Sequence, residues 1–283
     1  MEFSHGENKM DLIRYNSLCR FADYVCEFPK HYYDEMGIDN IHGKENVNSF
    51  HNIAPYSKIF IKTDLIQGMI GQLLNITVPF HLLTGNADIT IPAHTVDHIQ
   101  KNKNMITWTG NNLIKFDERF LQVPIGFDAV GSGRPNSYFK FPEPYKQKSI
   151  PIVLTPIGKT IETRNNVVNI SGHNILNIQS RLNYSDYINL LNLSKYSICP
   201  DGNGVDTHRL MESIKMKSKP IVLSSILNSM YEEIGCEIIH SWDDLHNIDL
   251  DTPVDVDQKF ASFAYWENRI KDHHEIFKFK NGT

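Results

Sequence analysis

The run from Tyr196 to Ser224 constrains the fold more than any other part of the chain. Tyr196–Cys199 is apolar enough for a buried strand, and Pro200 ends it. Gly202 and Gly204 in the following turn allow positive φ and close approach of backbone N–H groups. Asp206 suits an N-cap, so Thr207, His208 and Arg209 open a helix whose buried stripe is Leu210, Met211 and Ile214. Lys219-Pro220 stops that helix, and Ile221-Val222-Leu223 is the next strand. Two short apolar strands joined by a helix read as a parallel pair with its crossover.

The same alternation recurs along the chain. Ile59–Lys62 and Phe80–Thr84 read as buried strands with a helix over Asp64–Leu74 between them, followed by short strands at Met105–Trp108 and Val123–Ile125. The stretch Gly131–Lys148, rich in Gly, Pro and polar residues, reads as a linker and hinge. Beyond it come strands at Ile150–Leu154, Val167–Ile170 and Glu237–Ile239, a helix over Tyr184–Leu193 with apolar Tyr187, Ile188, Leu190 and Leu191, and a last helix over Asp257–Phe277. The expected fold class is α/β, with two Rossmann-like parallel-sheet halves facing a cleft. The expected division is 1–147, 148–255, and a terminal helical segment, 256–283, that crosses back onto the first half.

A chain of 283 residues fits one large or two small domains, and 41% hydrophobic residues can build real cores. Net charge of −5 argues against nucleic-acid binding, which needs a basic face. Cys19, Cys26, Cys199 and Cys236 have neither C-x-x-C nor zinc spacing and read as free thiols of a reducing compartment. Met1–His5 lacks a secretory apolar core and no run approaches membrane-spanning length, so a cytoplasmic protein is expected. Asp249-Leu250-Asp251 and Asp255-Val256-Asp257 have the form of a D-x-D metal motif, but an acidic, Pro-containing stretch reads better as a solvated loop.

The chemistry concentrates at strand ends. A helix N-terminus carries partial positive charge and unpaired N–H donors, and Arg209 adds a fork of donors suited to a diphosphate. Glu212, one turn on, can accept hydrogen bonds from vicinal ribose hydroxyls. After the strand ending at Leu154, Lys159, Thr160 and Arg164 form a polar, partly basic loop in which Arg164 is either a second phosphate contact or a surface ion pair. Gly172 and His173 could border a base. The pattern points to an activated nucleotide as ligand; which base it carries is left open by the spacing.

Cys199-Pro200, Gly202, Gly204, Asp206-Thr207-His208-Arg209, Glu212 and Pro220-Ile221-Val222 together resemble the signature of the exostosin-like glycosyltransferases. Phe60–Asp64, Leu83–Asp88, Trp108–Asn111 and Val123–Gly126 are also similar, so the resemblance spans about residues 56 to 245; Ser218-Lys219 replaces the usual small residue before Pro-Ile-Val. It looks most like the short, soluble forms found in bacteria and large viruses. The resemblance implies a GT-B fold, a nucleotide-sugar donor, usually a UDP-sugar such as UDP-xylose or another UDP-pyranose, a glycan hydroxyl as acceptor, and inversion at the anomeric carbon. On this reading Thr155, Lys159, Arg164, Gly172, Pro200, Gly202, Asn203, Gly204, Val205, Asp206, Thr207, Arg209 and Glu212 form the donor site. Inverting transfer needs a base from the first half. Asp88, after a Gly85-Asn86 turn, is the first choice and also suits a turn or N-cap; Asp64 is the second, with His81 and His94 behind. Thr84, Asn86, Trp108 and Asn111 would border the acceptor, although Trp108 equally suits a core. No metal and no cofactor are expected, since Arg209 and the helix N-terminus can stabilise the leaving diphosphate. The alternative is a catalytically silent nucleotide-sugar binder or assembly subunit. A dinucleotide oxidoreductase is disfavoured, because neither half has G-x-G-x-x-G after its first strand.

Overall fold

The structure, a computed structural model, describes residues 11–14, 16–28, 46–47, 49–128, 136–139, 142–158 and 161–281. It is a mixed α/β protein with two five-stranded parallel sheets. The first runs β1 (Tyr24–Cys26), β2 (Ser57–Lys62), β3 (Phe80–Gly85), β4 (Met105–Gly110) and β5 (Phe120–Gln122), in sequence order. The second holds β6 (Ile150–Leu154), β7 (Ile175–Asn177), β8 (Ser194–Ile198), β9 (Lys219–Leu223) and β10 (Glu237–Ile239), in the order β10-β9-β8-β6-β7. Among the described residues the α-helices are α1 (Ile66–Leu74), α2 (Ala93–Ile99), α3 (Asn165–Val168), α4 (Tyr184–Leu193), α5 (His208–Lys215), α6 (Asn228–Ile234) and α7 (Phe263–Asn281).

The first sheet is covered on both faces, as the apolar runs of its central strands require. Ile59, Ile61, Leu82 and Trp108 pack against Ile66, Leu73, Val96 and Ile99 of α1 and α2. Phe60, Leu83 and Leu121 face the other way and join a cluster that continues through Leu210, Met211, Val222 and Met230 of the second half. The two halves therefore share one apolar core. Helix α7 straddles them: Arg269 and Tyr265 bind Glu233 of α6, whereas His274 stacks on His81 of β3. Residues 11–14 stitch the seam, with Leu12 bridged to Ser262 and Arg14 to Phe127. Gly126 lies in that seam at φ +74°, and a Cβ there would fall 2.5 Å from the Ile13 carbonyl oxygen.

Several expected elements move. The strand expected at Val167–Ile170 is the short helix α3 and its exit, and the pairing strand is β7, further on. Val167 is buried from a helical turn, and Asn177 Nδ2 closes that turn on the carbonyls of Val168 and Ile170. The strand expected at Val123–Ile125 ends earlier, at Gln122, because Pro124 has no N–H to pair and Asn111 Nδ2 takes the carbonyls of Val123 and Pro124. Residues 131–135 and 140–141 of the expected linker lie outside the described residues. Its described parts are packed: Phe139 meets Phe127 edge-on, and the buried Lys148 ammonium donates to the carbonyls of Asn192 and Met216. No helix among the described residues is long and apolar enough to cross a membrane, and all four cysteines are free thiols.

Candidate functional site

In the second sheet β7 and β8 leave β6 in opposite directions, so the strand order reverses between β6 and β8. The carboxyl ends of parallel strands at such a switch point diverge and leave a crevice. A cleft of about 1080 Å³ opens there. Its walls are the loop after β6 (Pro156, Ile157, Gly158), the loop after β7 (Gln179 and residues 181–183), the start of α4, and residues 202–204 and 206–209 after β8, with Asp88 and Ile125 contributed by the first half.

The segment after β8 is built by tight packing. Neither Gly202 nor Gly204 uses the positive φ that glycine allows. A Cβ on Gly204 would lie 2.6 Å from Cγ of Asn112, and one on Gly202 would lie 3.0 Å from an Arg164 terminal nitrogen. The Gly202 N–H donates to the Gly204 carbonyl at 2.7 Å and so is committed within the turn. Helix α5 begins at His208 with Thr207 at its N-cap, one residue later than expected. Asp206 is not the cap: its carboxylate is buried and accepts the Ile125 N–H of the first half at 2.6 Å, while its own N–H donates to Asn112 Oδ1. Burial raises its pKa to about 7. The nearby His208 Nδ1 lies 2.7 Å from the Gly126 carbonyl, a further contact between the halves.

Three arginines line the cleft, Arg164, Arg209 and the exposed Arg181, and the first two are held by backbone carbonyls. Arg209 donates to the carbonyls of Thr155 (3.1 Å) and Pro156 (2.9 Å) and to the Thr155 hydroxyl. These bonds use three of its five donors and fix the fork at the end of β6. Arg164 donates to the carbonyls of Asp201 and Gly158. Burial lowers its pKa, and the neighbouring Arg209 charge lowers it further. Two like charges held near each other beside the first turn of α5 favour an anion between them.

Glu212 is buried at the cleft wall, with Oε1 accepting from the Tyr184 hydroxyl at 2.9 Å and Oε2 from the Tyr187 hydroxyl at 2.5 Å. The Tyr187 ring also lies under the Arg209 guanidinium, 5.6 Å from centroid to Cζ. Across the cleft the exposed Asp88 accepts from Asn203 Nδ2 at 2.9 Å.

The expected site residues separate into three groups. Arg164, Gly202, Asn203, Gly204, Asp206, Thr207, Arg209, Glu212 and Asp88 line the cleft together. Thr155 stands just behind Arg209; Pro200 is buried in the strand exit, Val205 packs on the shared core, and Gly172 faces Ile175 and His246 away from the cleft. Lys159, with Thr160, lies outside the described residues. The residues expected at the acceptor are corrected, because all four are enclosed. Trp108 is fully buried and donates to Thr84 Oγ1 at 2.9 Å; Asn86, at φ +58°, donates to Glu27; Asn111 holds the β5 exit. Asp64 pairs with Lys62 at 2.6 Å and does not line the cleft. His81 is packed under α7, and His94 is exposed away from the cleft. One member of each Asp-x-Asp pair is a turn or cap residue: Asp249 accepts from the backbone of Asp251 and Thr252, and Asp257 from that of Lys259. Among the described residues no group of three or more His, Cys, Asp or Glu side chains is placed to hold a metal.

Sequence reasoning missed Gln179, Arg181, Tyr184 and Tyr187. The two tyrosines stand three residues apart on the first turn of α4, a spacing that puts both on one helix face. Compared with known proteins, the chain matches no family model and no curated sequence.

Proposed function

We propose that the protein is an inverting glycosyltransferase of GT-B layout that moves a sugar from a nucleoside-diphosphate sugar, by resemblance a UDP-sugar, to a glycan hydroxyl. The observation that carries this reading is the meeting of Arg164, Arg209 and the start of α5 at the switch point, with a carboxylate, Asp88, facing them from the other half. The diphosphate lies against the two guanidiniums, and the ribose against Glu212. The acceptor oxygen attacks the anomeric carbon from the face opposite the diphosphate, Asp88 takes the hydroxyl proton, and the C–O bond to the diphosphate breaks with its electrons. Arg209, Arg164 and the helix N-terminus stabilise the departing charge. Nothing in this sequence of steps calls for a metal, so transfer is expected to persist after chelation; loss restored by manganese would overturn that.

A screen of nucleotides and nucleotide sugars by thermal shift identifies the donor, because binding to the native state raises apparent stability. Arg209→Ala is then expected to weaken donor binding by about 1.5–3 kcal/mol, the scale of hydrogen bonds to a charged group. Unchanged affinity in the titration would remove the diphosphate assignment. Asp88→Asn is expected to abolish transfer and slow donor hydrolysis while the donor still binds.

A second reading, a catalytically silent nucleotide-sugar binder, draws on one observation. Among the described residues the first half contributes only Asp88 and Ile125 to the cleft. Binding of a donor without turnover by the wild type, even by hydrolysis, would favour it.

A further inference from the structure

Glu212 is a buried carboxylate whose placement is set by another helix. An ionised carboxylate out of water is costly unless its oxygens are hydrogen-bonded. Here each oxygen accepts from a phenol of α4, and the 2.5 Å bond from Tyr187 is in the range of short O–H···O⁻ contacts. The effect on Tyr187 is reciprocal: burial, and then the Glu212 charge, raise its pKa, so its proton stays on the phenol as a donor. Tyr187 does a second thing, since its ring lies beneath the guanidinium of Arg209. One side chain thus touches both the carboxylate and the cation of the cleft.

We infer that Tyr187, assisted by Tyr184, is a positioning residue that sets Glu212 to read the vicinal hydroxyls of a ribonucleotide and couples that recognition to the diphosphate-binding Arg209. Two phenols on different oxygens fix the plane of the carboxylate at the cleft wall, where a pair of neighbouring ligand hydroxyls donates to it. The ligand class is a nucleoside diphosphate with both 2′ and 3′ hydroxyls. The inference rests on the donor-site reading above.

The test uses the full chain and titrates UDP, GDP and ADP, the 2′,3′-dideoxy form of each, and inorganic pyrophosphate. Wild type is expected to prefer the ribose form of its cognate nucleotide by about ten-fold or more. Tyr187→Phe keeps the ring under Arg209 and removes the hydroxyl; the preference should fall to within about three-fold with pyrophosphate affinity unchanged. Tyr187→Leu should also weaken pyrophosphate. Where Tyr187→Phe fails to fold, as judged by its thermal transition, Tyr184→Phe carries the same test through Oε1, with the preference again reduced. A folded Tyr187→Phe with the wild-type preference would overturn the positioning role and leave the donor site standing. A wild type that binds pyrophosphate and nucleotide without distinguishing ribose from dideoxyribose would remove the Glu212 role and this inference together. Binding of none of these probes by the wild type would remove the donor-site reading, and the inference with it.

Discussion

Asp206 illustrates how a single side chain can be drawn away from its local preference. Beside a helix start an Asp favours capping, yet its carboxylate is spent on Ile125 of the other half. Burial holds its pKa near 7, above the ordinary 3.8. A raised folded-state value means that folding retains a proton which the unfolded chain has already released. The stability supplied by Asp206 is therefore present in full below about pH 4. It is lost as pH rises toward 7 and changes little beyond. Asp206→Asn keeps an acceptor for the Ile125 N–H and removes the ionisation. Melting temperatures followed from pH 5 to 8 are expected to show this downward component in the wild type and not in the variant. Identical slopes would show that Asp206 stays ionised in the folded state.

At the scale of an element, α7 is docked by histidines that burial keeps neutral. His81 and His274 stack with centroids 4.3 Å apart, and His81 Nδ1 lies 2.8 Å from Thr107 Oγ1. Burial lowers the pKa of His81 and of His273 to about 4 and that of His274 to about 2. Lys58 and Lys278 lower His81 further and Asp23 opposes them, while Arg269 adds to the lowering of His273. Depressed values for a base give the opposite sign to Asp206. Above about pH 6.5 these rings are neutral in both states; between 6.5 and 4 the unfolded chain takes protons that the folded chain refuses, so stability falls as pH falls. Each of His81 and His273 accounts for on the order of 3 kcal/mol across that window. Acid unfolding is expected to begin with release of α7. His274→Phe, which keeps a flat ring on His81, should move the midpoint seen by circular dichroism to lower pH, and an unmoved midpoint would place the acid-sensitive step elsewhere.

At the scale of the whole molecule, parallel sheets and the switch-point segment were legible because apolar runs and a Gly-rich turn are local signals. The failures have one physical origin, partners distant in sequence. Val167-Val168 carries the β-branched signature of a strand, but Asn177 and a core position make it a helical turn. The resemblance set Thr84, Trp108 and Asn111 beside the acceptor; which way a side chain points is decided by pleat and by the elements packed on it, and these three are buried. Tyr187 read as part of an apolar stripe and Tyr184 only as a helix start, because the carboxylate that uses their hydroxyls lies 25 and 28 residues further on. The straddling position of α7 bears on how the protein is made. A ribosome releases β1 to β5 long before Phe263–Asn281, so the first sheet emerges with His81, Thr107 and Thr109 of one face still uncovered. The second half waits for the same helix, which supplies Trp266 and Ile270 to the core around α5 and α6, so a single late segment completes both halves at once.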